Sequence, residues 1–304
     1  LLSAKIPHQR NKSLFTKPLK LYFLTNPFPK DKNKPMCLIA IAIAQHPEYP
    51  VIIAANRDEF YNRPTACLDY WDDQPNILAG RDLQEWGTWL GVTAAGRIGA
   101  LTNFRDPQSM GRKSQGPSRG ALIRRFLEGA ETSETYIERI RPHKDLYNGF
   151  NLVVGEMDQL WWYSNVTDEC RRLPPGIHGI SNHLLNTPWP KVKKIKTALA
   201  SMLEKPQPID PERIFEKLAD QERPPDSDLP DTGIGLEWER ILSPIFITSE
   251  IYGTRSSSII FIDRSGHVIF YERTFSFKEH TVGIEETRRF EFKTAKTPQS
   301  SRAF

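Results

Sequence analysis

Met36-Cys37-Leu38-Ile39-Ala40-Ile41-Ala42-Ile43-Ala44 is an apolar run headed by a cysteine. A second run, Val51-Ile52-Ile53-Ala54-Ala55-Asn56-Arg57-Asp58-Glu59, ends in four consecutive polar residues. The polar link between them, residues 45–50, is short, so the two runs read as adjacent strands of one sheet. Cys37 at the start of one strand and Asn56-Arg57-Asp58-Glu59 at the end of the next then meet at one edge. That edge organises the remaining sequence.

The length, 304 residues, suits one large domain or two small ones with ample core. Hydrophobic content of 38% and charged content of 26% fit a globular chain, and no apolar run approaches the roughly 20 residues of a membrane helix. The formal charge of +4 is carried by the first segment. Residues 1–36 hold eight Lys/Arg against Asp31, which leaves 33 bases and 36 acids, a net −3, in residues 37–304. That balance gives no argument for nucleic acid. Residues 1–35 are basic, Pro/Asn/Lys-rich and without periodicity. They are expected to be a disordered tail or an extension ahead of a true start at Met36, with one folded domain over 36–304. Three scattered cysteines, Cys37, Cys67 and Cys170, signal neither a disulfide framework nor a zinc site and point to a reducing compartment.

Turn residues divide the chain beyond Glu59. Ala95-Gly96 predicts a hairpin between 87–93 and 97–104, and a second hairpin is expected for 150–155 with 160–164. Helices are expected over 118–128 with Ser118 as N-cap, from Thr132 or Ser133 to 141, over 188–203 with Val192, Ile195, Leu199 and Leu203 inward and lysines opposite, and from Asp210-Pro211. Residues 72–76 and 221–235 read as loops, and 178–181, 245–247, 258–262 and 268–271 as further strands. Helices fall in batches between hairpins, which predicts an α+β fold with mostly antiparallel sheets.

Cys37 is the candidate nucleophile. With Met36 removed it carries its own base, an α-amine of ordinary pKa about 7.7–8.0; the alternative is a buried strand cysteine packing as a small hydrophobe. Arg57 is expected to hold a thiolate or a substrate carboxylate and Asp58 the α-ammonium. Asn103, and either Asn148 or Asn151, are placed to offer amide N–H groups to an oxyanion, and Arg255 is a late-strand electrostatic partner. Asn56, Glu59, Arg81 and Trp89 make up the expected substrate-binding set. His143, His178 and His183 have no metal-ligand spacing, and no metal is assigned.

Met36-Cys37, Ala55-Asn56-Arg57-Asp58-Glu59-Phe60, Ala79-Gly80-Arg81-Asp82, Gly87-Thr88-Trp89-Leu90-Gly91-Val92, Thr102-Asn103-Phe104-Arg105, Ser118-Arg119-Gly120, Tyr147-Asn148-Gly149-Phe150-Asn151-Leu152, Ser181-Asn182, Pro188-Trp189-Pro190-Lys191-Val192 and Tyr252-Gly253-Thr254-Arg255-Ser256-Ser257 together resemble the NRDE family, also called the Transport and Golgi organisation 2 family. The likeness runs through nearly all of 36–275. Trp86 departs from it, standing where a small residue, usually glycine, is expected. The family in turn resembles N-terminal nucleophile hydrolases in its Met-Cys start, which implies a four-layer αββα sandwich. Penicillin V acylases and bile salt hydrolases also join an N-terminal cysteine to Arg and Asp on the next strand, although Arg57 and Asp58, being adjacent, do not copy their spacing. That likeness implies Cys37 as nucleophile, Arg57 and Asp58 as its orienters, and Asn103 and Asn148 as oxyanion donors.

Three functions are consistent with these residues. The first is a hydrolase of a linear amide of a small molecule, requiring no cofactor. The family's associations with secretory-pathway organisation, mitochondrial metabolism and haem trafficking imply a second, a non-catalytic carrier of haem in which Cys37, His46 or His178 touches iron. The third is an adaptor acting through its surface. The expected location is cytoplasmic, with mitochondrial or Golgi association as alternatives.

Overall fold

Every residue of 37–43 and 51–59 is buried, because this pair of strands is covered on both faces. In the computed structural model, which describes residues 36–105, 116–157, 159–204, 208–278 and 281–295, β1 (Met36–Ile43) and β2 (Val51–Phe60) pair antiparallel with Cys37 opposite Arg57. The chain then leaves for a second sheet built in sequence order. Its strands are β3 (Thr65–Trp71), β4 (Gln74–Asp82), β5 (Leu90–Thr93), β6 (Arg97–Asn103), β7 (Phe150–Glu156), β8 (Gln159–Ser164) and β9 (Glu169–Arg172). It returns to the first sheet with β10 (Gly176–Ile180), β11 (Tyr252–Ile262), β12 (His267–Lys278) and β13 (Thr281–Lys293), giving the order β10-β1-β2-β11-β12-β13. All pairings are antiparallel.

Strand alternation builds the layers. Ile39, Ile41, Val51, Ile53 and Ala55 meet Leu90, Val92, Ala100 and Val153 between the sheets. Leu38, Ala40, Ile52 and Ala54 face outward onto α3 (Pro190–Leu203) and α4 (Pro211–Leu218). On the far side, Leu101, Leu152 and Val154 of the second sheet meet α1 (Gly120–Glu128) and α2 (Ser133–Ile140). The α+β class and the αββα layering therefore hold. Each fully buried Ile or Leu of these strands contributes about 1.5–3 kcal/mol, which offsets the several kcal/mol it costs to bury each charge where the strands end.

The hairpin at 95–96 forms as β5 and β6, with Gly96 at φ +84°, a left-handed turn that glycine adopts without a Cβ clash. Thr132 caps α2 by accepting from Thr135 N, and Asp210 caps α4 by accepting from Glu212 N. Other expectations change. Ser118 is not the N-cap of α1: Arg119 precedes that helix in αR conformation and no side chain caps it. Residues 245–247 form no strand, because β11 already lies between β2 and β12; Asn56 instead ties the Ile245 carbonyl to the sheet. A short helix, α5 (Leu236–Leu242), follows the 221–235 loop, and β4 begins inside the stretch 72–76 read as a loop. β13 was not legible because its outer half is exposed and charged, with strand pairing to β12 in place of a buried apolar face. Residues 1–35 lie outside the described residues. Among the described residues no helix is long and apolar enough to cross a membrane.

Candidate functional site

The four polar residues ending β2 divide by parity. Arg57 and Glu59 continue the face of Ile53 and Ala55 toward the second sheet, whereas Asn56 and Asp58 continue the face of Ile52 and Ala54 toward the helices. Cys37, in register with Arg57, shares the inter-sheet face and is 5% exposed.

On that inner face Arg57 is the hub. Its guanidinium lies 3.6 Å from Glu59 Oε2 and 4.0 Å from Asp82 Oδ2, donates to Thr65 Oγ1 at 3.2 Å, and stacks 4.4 Å above the Trp89 ring. A Cβ on Gly80 would run into that ring, so glycine there lets Trp89 sit under the arginine. Arg63 closes the network, 2.7 Å from Asp82 and 3.6 Å from Glu59. Glu272 of β12 is also buried within the field of Arg57 and accepts from Leu68 N at 2.6 Å. Burial pushes the carboxyls of Glu59 and Glu272 up despite these cations. With several acids around it, Arg57 lends little net positive charge to the cysteine. Burial first, and then Asp58, push the Cys37 thiol up to about 12, against the opposing pull of Arg57.

The outer face holds a second network. Asp58 is fully buried; its Oδ1 accepts from Thr254 Oγ1 at 2.6 Å, and its Oδ2 has no hydrogen-bond partner among the described residues. The cation acting most strongly on it is Lys191 of α3, which donates to the Leu242 carbonyl at 3.0 Å. Beside them Arg105 and Glu239 form a buried pair at 2.6 Å. Burial pushes the Asp58 carboxyl up and the Lys191 amine down.

The end of the second sheet joins from across the core. Asn103 closes β6 opposite Phe150 and is 6% exposed; Asn148 lies two residues before β7. The carbonyl of Asn103 accepts from Asn182 Nδ2 at 3.0 Å and that of Asn148 from Asn165 Nδ2 at 3.4 Å. Arg119 donates to the Gly149 carbonyl at 3.1 Å, and its charge acts on both Glu59 and Cys37, so it links this end to the cysteine. Burial pulls its own pKa down to about 10. Of the two asparagines weighed for β7, Asn151 is a latch: it donates to Thr102 Oγ1 and the His183 carbonyl and accepts from Trp162 Nε1.

Cys37, Arg57, Asp58, Glu59 and Trp89 are thus brought together, with Asn103 and Asn148 at the facing sheet end. Three other expected residues go elsewhere. Asn56 donates to the Leu218 and Ile245 carbonyls and accepts from Ser257 Oγ, leaving no amide hydrogen for a ligand. Arg81 sits on the outer face of β4, bidentate to Asp73 and stacked between Trp71 and Trp86 at 4.2 and 5.0 Å. Arg255 occupies a bulge, where β11 shifts register between Thr254 and Ser256, and donates to the carbonyls of Phe60, Tyr61 and Arg63. It holds the turn after β2 in shape.

The whole constellation lies within one matched region. The family model described as Transport and Golgi organisation 2 matches residues 36–276. The chain belongs to this family. Among family relatives, the Transport and Golgi organization 2 homolog of Mus musculus is 34% identical over 277 residues, covering 84% of this chain and 99% of its own. The Homo sapiens homolog has the same identity and coverage, and the Drosophila melanogaster protein is 27% identical, with 79% of this chain and 93% of its own covered. Two solved structures are similar in shape. One is a Caenorhabditis elegans N-acylethanolamine-hydrolyzing acid amidase ortholog, with TM-score 0.45, 10% identity and coverage of 74% of this chain and 92% of that one. The other is a mutant of the conjugated bile acid hydrolase from Clostridium perfringens, with TM-score 0.43, 9% identity and coverage of 85% and 98%. Identities this low give no residue-by-residue correspondence.

Five residues that sequence reasoning did not single out for the site carry part of the network: Arg63, Asp82, Arg119, Lys191 and Glu272. Lys191 was discoverable, since it stands four residues before Ile195 and eight before Leu199, on the apolar stripe of α3. It is 4% exposed, which corrects the expectation that the lysines of this helix all lie opposite. Trp86 adopts φ +57° and is 54% exposed, which explains why glycine is the expected residue there. His46 sits at the far end of β1, accepting from Glu48 N and Tyr49 N. His178 of β10 pairs with Ile41, four residues along β1 from Cys37, and His46 lies beyond the end of β1, so the three side chains named for iron are spread along the length of β1 at about 3.3 Å per residue.

Proposed function

We propose that the chain is a cysteine N-terminal nucleophile hydrolase acting on a linear amide of a small molecule. The observation that carries this reading is the buried, unpartnered Oδ2 of Asp58 beside Cys37. A buried carboxylate oxygen without a donor costs several kcal/mol, and an ammonium at the start of β1 would supply the donors. Removal of Met36, the Cα partner of Asp58, creates that ammonium on Cys37. The same cation lies a few bonds from the thiol and lowers its pKa from the raised value of the uncleaved chain.

In the reaction, the neutral α-amine takes the thiol proton and the sulfur attacks the amide carbonyl. Asn103 and Asn148 are the oxyanion donors of this reading. The C–N bond then breaks, the ammonium returns its proton to the leaving amine, and a thioester remains on Cys37. Water, deprotonated by the same amine, attacks the thioester and releases the carboxylic acid. Arg57, held over Trp89, keeps the inner face polar and orients the substrate.

Intact mass of the purified protein tests the first requirement: the mature chain begins at Cys37. A thiol-directed acylating probe then modifies the wild type at Cys37, and neither Cys37→Ala nor Cys37→Ser is labelled. A mass that retains residues before Cys37 in protein that still reacts, or equal labelling of Cys37→Ala, removes this mechanism.

A further inference from the structure

We propose that Lys191 is a positioning residue that neutralises Asp58 and thereby keeps the Cys37 α-amine in the uncharged form in which it acts as base. This inference rests on the hydrolase reading and adds to it a cation on a helix rather than on a strand. An N-terminal nucleophile faces a conflict of charge. The carboxylate that positions the α-amine also stabilises its ammonium form, and an ammonium cannot accept the thiol proton. A second, buried cation in the field of the same carboxylate resolves that conflict.

The structure holds such a cation. Lys191 enters from α3, is 4% exposed, and is anchored on the Leu242 carbonyl at 3.0 Å. No carboxylate lies within 4.0 Å of it among the described residues, yet its charge acts on Asp58 and on Cys37. The other charges facing this point have nearer partners, Arg119 holding the Gly149 carbonyl at 3.1 Å within the field of Glu59. Arg105 is paired with Glu239 at 2.6 Å. Arg57 is on the inner face, shared between Glu59 and Asp82, and Arg63 also lies against Glu59 and Asp82. Tyr61 is neutral, its phenol pushed up to about 12 by burial. Lys191 is therefore the cation that offsets Asp58 most strongly, ahead of Arg57, and a lysine on the apolar stripe of a helix has no packing reason to be there.

The test uses mature protein whose free Cys37 terminus has been verified by intact mass, with the thiol blocked as its methyl disulfide. Trace acetylation of the Cys37 α-amine by acetic anhydride is followed across pH by peptide mass spectrometry. Lys191→Gln, which keeps a donor for the Leu242 carbonyl, moves the midpoint up by about one pH unit, making the amine about tenfold less reactive near neutrality. Lys191→Arg restores the wild-type midpoint. A folded Lys191→Gln protein with an unmoved midpoint overturns this inference and leaves the hydrolase reading standing. A mass showing no free Cys37 amine overturns both. Where Lys191→Gln does not fold, Lys191→Met, an apolar replacement of similar length on the apolar stripe of α3, is measured with Asp58 intact. A raised midpoint supports the inference, and an unmoved one overturns it.

Discussion

Asn56 and Arg57 are neighbours in sequence, but they work in opposite layers. Asn56 has both amide hydrogens and its side-chain oxygen engaged by protein and ties β2 to α4, the segment before β11 and β11 itself. Arg57 has loose, shared partners at 3.6 and 4.0 Å and an aromatic ring beneath it. The same division separates Glu59, on the inner face, from Asp58, on the outer. A run of four polar residues at a strand end is thus two interleaved pairs. One faces the helix layer and latches it to the sheet; the other lines the space between the sheets.

This division predicts unequal mutational effects. The largest is expected for Arg57→Ala, which leaves Glu59 buried beside Asp82 with one cation fewer. About 3 kcal/mol or more should be lost in urea unfolding, as when one partner of a buried pair is removed. A loss below about 1 kcal/mol would show that Arg63 alone suffices. Asn56→Ala strands two carbonyls and a hydroxyl, so about 2–4 kcal/mol is expected, with thiol labelling of Cys37 unchanged in the folded fraction. Reduced labelling with stability intact would break the assignment of Asn56 as a latch.

The outer face also sets a pH dependence. Burial raises the folded-state pKa of Asp58, so between the ordinary carboxylate range near 4 and its raised value the folded protein binds more protons than the unfolded chain. Its stability is therefore lost as pH rises through that window. Urea midpoints from pH 5 to pH 7 should fall for the wild type relative to Asp58→Asn; parallel curves would mean that Asp58 is not perturbed. The smallest effect is expected at Trp86. Trp86→Gly relieves a left-handed backbone worth about 1–2 kcal/mol, loses a cation–π contact with Arg81 worth about 0.5–1 kcal/mol, and adds freedom to the unfolded chain. Thermal denaturation should register a net change within about 1 kcal/mol. A larger stabilisation would mean that the Trp71–Arg81–Trp86 stack contributes little.

Much of the fold was legible from residues alone. The pairing of β1 with β2, the hairpin at Gly96, the caps of α2 and α4 and the α+β class follow from local pattern, because apolar runs, turn residues and caps act within a few positions of themselves. The grouping of Cys37 with Arg57, Asp58 and Glu59 followed from the short link between two strands. Parity along β2 was available too, and read strictly it separates Asn56 and Asp58 from Arg57 and Glu59. Which face meets the second sheet and which meets the helices was decided only by the tertiary structure, since alternation specifies two sides but not what covers them. The same holds for Arg81, sent to the outer face by the position of β4, and for Arg255, turned by a bulge onto three carbonyls. Lys191 shows the limit most clearly. Its place on the apolar stripe of α3 marks it for burial, but its carboxylate neighbour is 133 positions earlier in the chain, and electrostatic partnership between distant segments is written in the packing of helix on sheet, not in any local pattern.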